Sequence, residues 1–282
     1  MTNKMEFRTI VDIPKPGFQI EPLEHMLFVG SCFADSIGQR FLEEKFPATV
    51  NPYGVMYNPA SILHTVLRVC AAPQSLDFKF HRIVFLTLGT NHVYRLKETG
   101  EIVDNCQKRP ASLFQEEQLT VDECADYLQR TIDLLRSHRP DVQVVLTVSP
   151  IRYRKYGYHE SQLSKATLLL AIDKLISLRY PQTSSITYFP AYEIILDELR
   201  DYRFYKEDML HPSAQAVEYI WQQLVDHYFS PAAQQFLREW APLKAALAHR
   251  PFNPDSEDYR TFLEQTHSKV DALMQKYATY CP

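Results

Sequence analysis

With 282 residues, 45% of them hydrophobic and 12% aromatic, the chain can bury a full core, as one large domain or as a domain with an appendage. A formal net charge of -4 and a pI near 6.2 give no overall attraction to nucleic-acid phosphates or to an anionic bilayer, so neither is an expected partner. The five cysteines, Cys32, Cys70, Cys106, Cys124 and Cys281, are scattered without a Cys-x-x-Cys pair; reduced thiols are expected, as is a cytoplasmic location, since residues 1–10 lack an apolar leader core and no run is long enough to span a bilayer.

Residues 26–29 form a short apolar run that stops at Gly30, and Ser31 opens an amphipathic stretch over 34–46 with Ile37, Phe41 and Leu42 on one face. The pattern predicts strand, tight turn and helix. The segment ATVNPYGVMYNP should be loop around a short strand, followed by a helix over 59–71. Residues 82–89 (RIVFLTLG) read as a strand buried on both faces, and 93–103 as a hairpin turning at Thr99-Gly100. A helix over 121–137 and a buried strand over 142–150 come next. The alternation continues with a helix over 161–178, a strand over 185–189 and a helix over 192–199. A polar loop over 201–210 leads through Pro212 and Ser213 into a helix ending near 228. Strands alternating with helices argue for a mostly parallel sheet covered on both faces. Beyond Pro231 the pattern is purely helical, over 231–248 and 256–279. The expected organisation is an α/β domain over 1–230 with a helical extension over 231–282 packed on it.

A serine between an apolar strand and a helix sits where an α/β fold presents side chains beyond the carboxyl ends of its strands, so Ser31 is a candidate nucleophile. It is equally well placed to cap the helix that follows. Its partners would come from Asp208-Met-Leu-His211, where a spacing of three on a turn lets the carboxylate reach one ring nitrogen while the other faces outward. The carboxylate would then fix the tautomer and stabilise the imidazolium formed when His211 takes the Ser31 proton.

The string Gly30-Ser31-Cys32-Phe33-Ala34 resembles the GSCFA family, which is placed among the SGNH (GDSL-like) hydrolases. The likeness extends to NPYG at 51–54, TLG at 87–89, Asn105-Cys106, VSP at 148–150, YFPAYEI at 188–194 and the closing Asp-x-x-His-Pro-Ser, covering roughly residues 5–228. It implies a flavodoxin-like three-layer α/β/α sandwich, and an ester hydrolase using Ser31, His211 and Asp208. The wider SGNH pattern also implies an oxyanion hole of the Ser31 N–H, the Gly54 N–H and the Asn91 side-chain amide. Gly54 and Asn91 could instead serve only a turn and nearby backbone. The sequence departs from that pattern at Cys32, a thiol at a helix start that offers an alternative nucleophile but is expected to point away from Ser31 as a buried structural thiol, and at His92, where SGNH enzymes commonly carry aspartate.

Substrate-binding candidates are His92, Tyr53 and Arg152, with Tyr57 and Tyr94 as further rings able to stack on a sugar or to fill the core. Arg152, Arg154 and Lys155 could hold an anionic group or form a solvated loop. His81, His92, Cys106 and His159 lack metal-ligand spacing, and no phosphate-binding loop is present, so no cofactor or metal is expected. The expected substrate is a small-molecule or carbohydrate ester. The same residues would serve an acyltransferase, or persist in a non-catalytic binding protein if Ser31 were occluded.

Overall fold

The computed structural model describes residues 7–72, 81–180 and 185–280; Cys281 lies outside them. Its strands are β1 (Met26–Gly30), β2 (Ala48–Val50), β3 (Ile83–Leu88), β4 (His92–Leu96), β5 (Ile102–Val103), β6 (Phe114–Gln118), β7 (Gln143–Val148) and β8 (Ile186–Tyr188). The helices are α1 (Cys32–Glu43), α2 (Pro59–Ala71), α3 (Val121–His138), α4 (Gly157–Lys174), the single turn α5 (Ala191–Glu193), α6 (Ala214–Tyr228), α7 (Pro231–Leu247) and α8 (Glu257–Tyr277).

A five-stranded sheet in the order β2-β1-β3-β7-β8, parallel throughout, forms the middle layer. Numbered within that sheet alone the order is 2-1-3-4-5, the flavodoxin-like arrangement, whose crevice opens at the carboxyl ends of the strands where the order reverses. Alternating residues of each buried strand feed opposite cores. Leu27, Val29, Val84 and Leu86 face one core with Ile62 and Val66 of α2, Leu128 and Ile132 of α3, and Leu168 and Ile172 of α4. Met26, Phe28, Ile83 and Phe85 face the other with Phe41 of α1 and Ile220, Trp221 and Leu224 of α6. The expected α/β/α sandwich is therefore the observed fold.

The two C-terminal helices continue the second core. Phe236 and Trp240 of α7 and Leu273 and Tyr277 of α8 are buried in it. The Phe236 ring meets Phe46 edge-on at 5.6 Å, and the Trp240 indole N–H donates to the Glu43 carbonyl at the end of α1 (3.2 Å).

The predicted hairpin pairs Tyr94 with Val103 and Arg95 with Ile102. It gains a third strand that the sequence hides. In β6, FQEEQ, only Phe114 is buried, so no apolar run announces the strand, and its pairing with β4 over His92↔Gln118 to Leu96↔Phe114 is what fixes it. The helix expected from 34 begins at Cys32 because Ser31 is its cap. The helix expected from 161 starts at Gly157 and ends in a π-helical turn, Leu175–Arg179. The helix expected over 192–199 is α5 followed by a second π-helical turn, Ile194–Leu199, closed by Arg200 in the left-handed region. Such turns insert one residue into a helix, which apolar periodicity does not register.

Candidate active site

The turn after β1 is built tightly. Gly30 has φ +149, and a Cβ there would lie 2.1 Å from the Thr87 carbonyl oxygen of neighbouring β3, so only glycine lets β1 and β3 approach at this point. The Gly30 N–H donates to Asn51 Oδ1 (2.8 Å), and Asn51 Nδ2 donates in turn to Asp35 of α1 (2.6 Å). Asn51, read from the sequence only as part of a loop, thus locks the turn to the helix it opens. Ser31 emerges from that turn as the N-cap of α1, with its Oγ accepting the Phe33 N–H at 3.3 Å. Its residue exposure is 1%.

At the other side of the crevice, Asp208-Met-Leu-His211 folds as the spacing predicts. Asp208 Oδ1 accepts the N–H groups of Leu210 (2.8 Å) and His211 (3.0 Å), and Oδ2 lies 2.6 Å from His211 Nδ1. These bonds hold the Asp208 carboxyl well below the usual carboxylate range, the two backbone donors contributing first. Met209, at φ +58, supplies the left-handed residue that closes the turn. Arg152, just beyond β7, clamps it: its N–H donates to the Leu210 carbonyl (3.0 Å) and its Nη1 to the Met209 carbonyl (3.1 Å). The guanidinium lies over the Tyr158 ring at 4.2 Å and the Tyr205 ring at 5.4 Å.

Ser31 and the Asp208–His211 pair therefore lie beyond the carboxyl ends of β1 and β7 on one edge of the sheet. No Ser31–His211 hydrogen bond is formed. The three oxyanion donors implied by the resemblance are each engaged: Ser31 N–H with Thr87 O (3.1 Å), Gly54 N–H with Asn51 O (2.8 Å) across a turn, and Asn91 Nδ2 with Leu119 O (2.8 Å). The Ser31 and Gly54 N–H groups each have a single hydrogen, already committed to a backbone carbonyl, whereas Asn91 Nδ2 keeps a second N–H beside the one that Leu119 O accepts. Asn91 Oδ1 is buried without a hydrogen-bond partner among the described residues. The N–H of Cys32, the first residue of α1, has no acceptor among them either, as expected at a helix start.

The remaining candidates divide in the same way. Cys32 Sγ is half-exposed and 3.6 Å from the Tyr57 hydroxyl, and burial raises the Tyr57 pKa. From Tyr57 a row of rings runs along the crevice edge, with centroids 6.2 Å to Tyr153, 5.6 Å on to Tyr156 and 4.1 Å to His92, the last pair stacked. His92 is buried, which lowers its pKa. Tyr94 and Tyr156 share a hydroxyl contact of 3.1 Å, and Lys155 bonds to both hydroxyls and to Glu116. Tyr53 turns instead to α2, its ring under the Arg68 guanidinium at 4.7 Å. A cavity of about 270 Å³ lies behind the Asp208–His211 turn, lined by Arg152, Gln162, Leu196, Arg200, Tyr202 and Tyr205 among others. A larger apolar one, about 620 Å³ between α4 and β8, contains none of the candidate residues. Among the described residues no group of three His, Cys, Asp or Glu side chains could hold a metal ion, and no helix is long and apolar enough to cross a membrane.

A doubly wound parallel sheet with a serine after its first strand and an Asp-x-x-His before α6 is the class of α/β protein expected from the sequence. Residues 25–82 and 74–224 match the GSCFA family, and residues 240–280 match the GSCFA domain protein, C-terminal domain. The chain belongs to the GSCFA family. No curated protein is significantly similar to it. Among solved structures it resembles a proposed acylhydrolase from Bacteroides fragilis (14% identity, 80% of this chain and 93% of that one, TM-score 0.46). It also resembles a GDSL-like lipase from Bacteroides thetaiotaomicron (13%, 72% and 86%, 0.44) and a family 3 carbohydrate esterase from Clostridium thermocellum (13%, 78% and 100%, 0.43).

Proposed function

We propose that the chain is a serine-dependent ester hydrolase. Ser31 Oγ attacks the acyl carbonyl while His211 Nε2 takes its proton. The same imidazolium then protonates the departing alkoxide, and water, deprotonated by His211, releases the acid from the acyl-serine. Asp208 fixes the ring through Nδ1 and offsets the positive charge. The observation that carries this reading is the 2.6 Å Asp208–His211 contact, which leaves Nε2 for a second partner on the sheet edge to which β1 delivers Ser31. In this reading the Cys32 N–H and the positive end of α1 face the oxyanion. Asn91 contributes its second side-chain N–H, and the Ser31 and Gly54 N–H groups contribute once they release the carbonyls they now bind. The substrate is a carbohydrate or other small-molecule ester, its non-acyl part lying along Tyr57, Tyr153 and Tyr156; His92 backs Tyr156, and Arg152 flanks the crevice.

The burial of Ser31 and the bond from Phe33 N–H to its Oγ favour a second reading, a binding protein in which the serine is only a helix cap. Hydrolysis of short-chain p-nitrophenyl esters and sugar acetates by the wild type, Ser31→Ala and Cys32→Ala, with labelling by a serine-directed phosphonate, separates the two. Activity and labelling that vanish with Ser31→Ala support the hydrolase. Loss only with Cys32→Ala moves the chemistry to the thiol, and a folded wild type that neither turns over nor labels supports the binding protein. Acyl transfer to an added sugar or alcohol in preference to water marks an acyltransferase.

A further inference from the structure

Helix α4 presents three buried polar side chains, Ser161, Ser164 and Lys165, to the loops that leave the sheet. Ser161 Oγ accepts the Tyr153 N–H (3.3 Å). Ser164 Oγ accepts the Asn91 N–H (2.9 Å) and lies 2.9 Å from Thr90 Oγ1. Lys165 is 2% exposed, and its Nζ donates to the carbonyl oxygens of Gly89 (2.7 Å) and Ser149 (2.8 Å). Those two residues directly follow the adjacent strands β3 and β7.

Each carbonyl belongs to a different half of the crevice. On one side the N–H groups of Gly89 and Thr90 both donate to the Tyr57 carbonyl (2.7 and 2.9 Å), and the Tyr57 hydroxyl reaches Cys32, beside Ser31. On the other side Ser149 Oγ accepts the Ile151 N–H (3.3 Å), and Arg152 next in the chain grips the Leu210 and Met209 carbonyls inside the Asp208–His211 turn. We propose that Lys165 is a positioning residue for the hydrolase site read above: by holding Gly89 and Ser149 together it sets how the Ser31 half and the His211 half of the crevice face each other.

The chemistry of the pocket suits an amine. Two backbone carbonyls on adjoining strands need two N–H donors, and no other acceptor meets Nζ among the described residues. Burial pushes the Lys165 pKa down to about 7, so near neutrality much of the side chain is an uncharged amine with two N–H groups for two oxygens. The groups that share its small cavity are Arg152, Tyr158, Tyr192 and Tyr205, with Ser161 and Gln162; the Tyr192 ring centroid is 5.9 Å from Nζ. None is a carboxylate that would keep the ammonium form.

The test uses the full chain as wild type, Lys165→Met, which fills the volume without a donor, and Lys165→Gln, which restores N–H donors on a shorter stem. Folding is checked by circular dichroism and melting. With p-nitrophenyl acetate we expect kcat of Lys165→Met to fall about 100-fold with KM changed less than about 3-fold, as for a site held out of register, and Lys165→Gln to recover part of the loss. Amide hydrogen exchange gives a readout independent of turnover: protection at Gly89, Thr90, Asn91 and Arg152 should fall in Lys165→Met while α7 keeps its own. A folded Lys165→Met with wild-type kcat and unchanged exchange overturns the proposal. A wild type that hydrolyses nothing refutes the hydrolase reading, and the exchange pattern then still decides whether Lys165 joins the two segments. Should Lys165→Met fail to fold, Lys165→Leu, which also lacks a donor to Gly89 O and Ser149 O, carries the same comparison, and wild-type kcat and exchange in it would overturn the proposal.

Discussion

The buried lysine also makes a stability prediction whose sign and size follow from its surroundings. In the unfolded chain Lys165 binds its proton up to its ordinary pKa of 10.5, and in the folded chain only up to about 7. Between those values the unfolded state binds more protons, so this group makes stability rise with pH across the window and leaves it flat below and above. From pH 7 to pH 9 the rise is about 2 kcal/mol, because each full pH unit inside the window contributes about 1.4 kcal/mol and the first is only partly realised. Lys165→Met removes this term while leaving Arg152, Tyr158, Tyr192 and Tyr205 in place. It also strips Gly89 O and Ser149 O of their donor, at about 1–3 kcal/mol each; at pH 7 that loss is largely offset by the relief of burying an amine. Urea unfolding of both proteins at several pH values from 7 to 9 should therefore give curves that diverge as pH rises, the variant falling behind by about 2 kcal/mol more at pH 9 than at pH 7. A constant difference across that range would refute the reasoning and mean that the amine stays charged in the fold.

Four further changes probe other parts of the argument. Gly30→Ala places a Cβ against the Thr87 carbonyl and should cost more than about 3 kcal/mol in chemical unfolding or abolish soluble expression; a near-wild-type stability would mean that β1 and β3 are not so closely apposed. Asp208→Asn keeps the shape of the turn but removes the carboxylate that orients the ring, so kcat for ester hydrolysis should drop by about 10³–10⁴-fold with the melting temperature little moved. Asn51→Ala frees the Gly30 N–H and the Asp35 carboxylate together, and is expected to lower kcat more than it raises KM. Trp240→Ala, made in the extension, should destabilise the whole chain by about 3–5 kcal/mol in a single unfolding transition; two separate transitions would show that the C-terminal helices unfold on their own.

The parts of this fold that were legible in the sequence are those whose hydrophobic pattern is set locally. β1, β3 and β7 are buried on both faces, so their apolar runs are continuous, and the Asp208–His211 pair closes within one turn, so a spacing of three suffices to predict its contact. What the sequence concealed depends on residues far apart in the chain. β6 is a strand because β4 offers it a partner. Asn51 matters because Gly30 turns back beside it, and Lys165 reads as one more charged residue on a helix until the strand ends after β3 and β7 converge on its Nζ. The oxyanion donors show the same limit from the other direction. A motif places Ser31, Gly54 and Asn91 in the right order along the chain, but whether an N–H is available depends on which carbonyl lies opposite it, and here Thr87, Asn51 and Leu119 each supply one. A hydrolase mechanism on this chain can therefore draw on the Cys32 N–H at the start of α1, which has no acceptor among the described residues, and on the second N–H of Asn91 Nδ2, or include a movement that frees the Ser31 or Gly54 N–H. The routes differ in which segment must be mobile, since freeing the Gly54 N–H requires opening of the 51–54 turn and use of the Cys32 N–H does not.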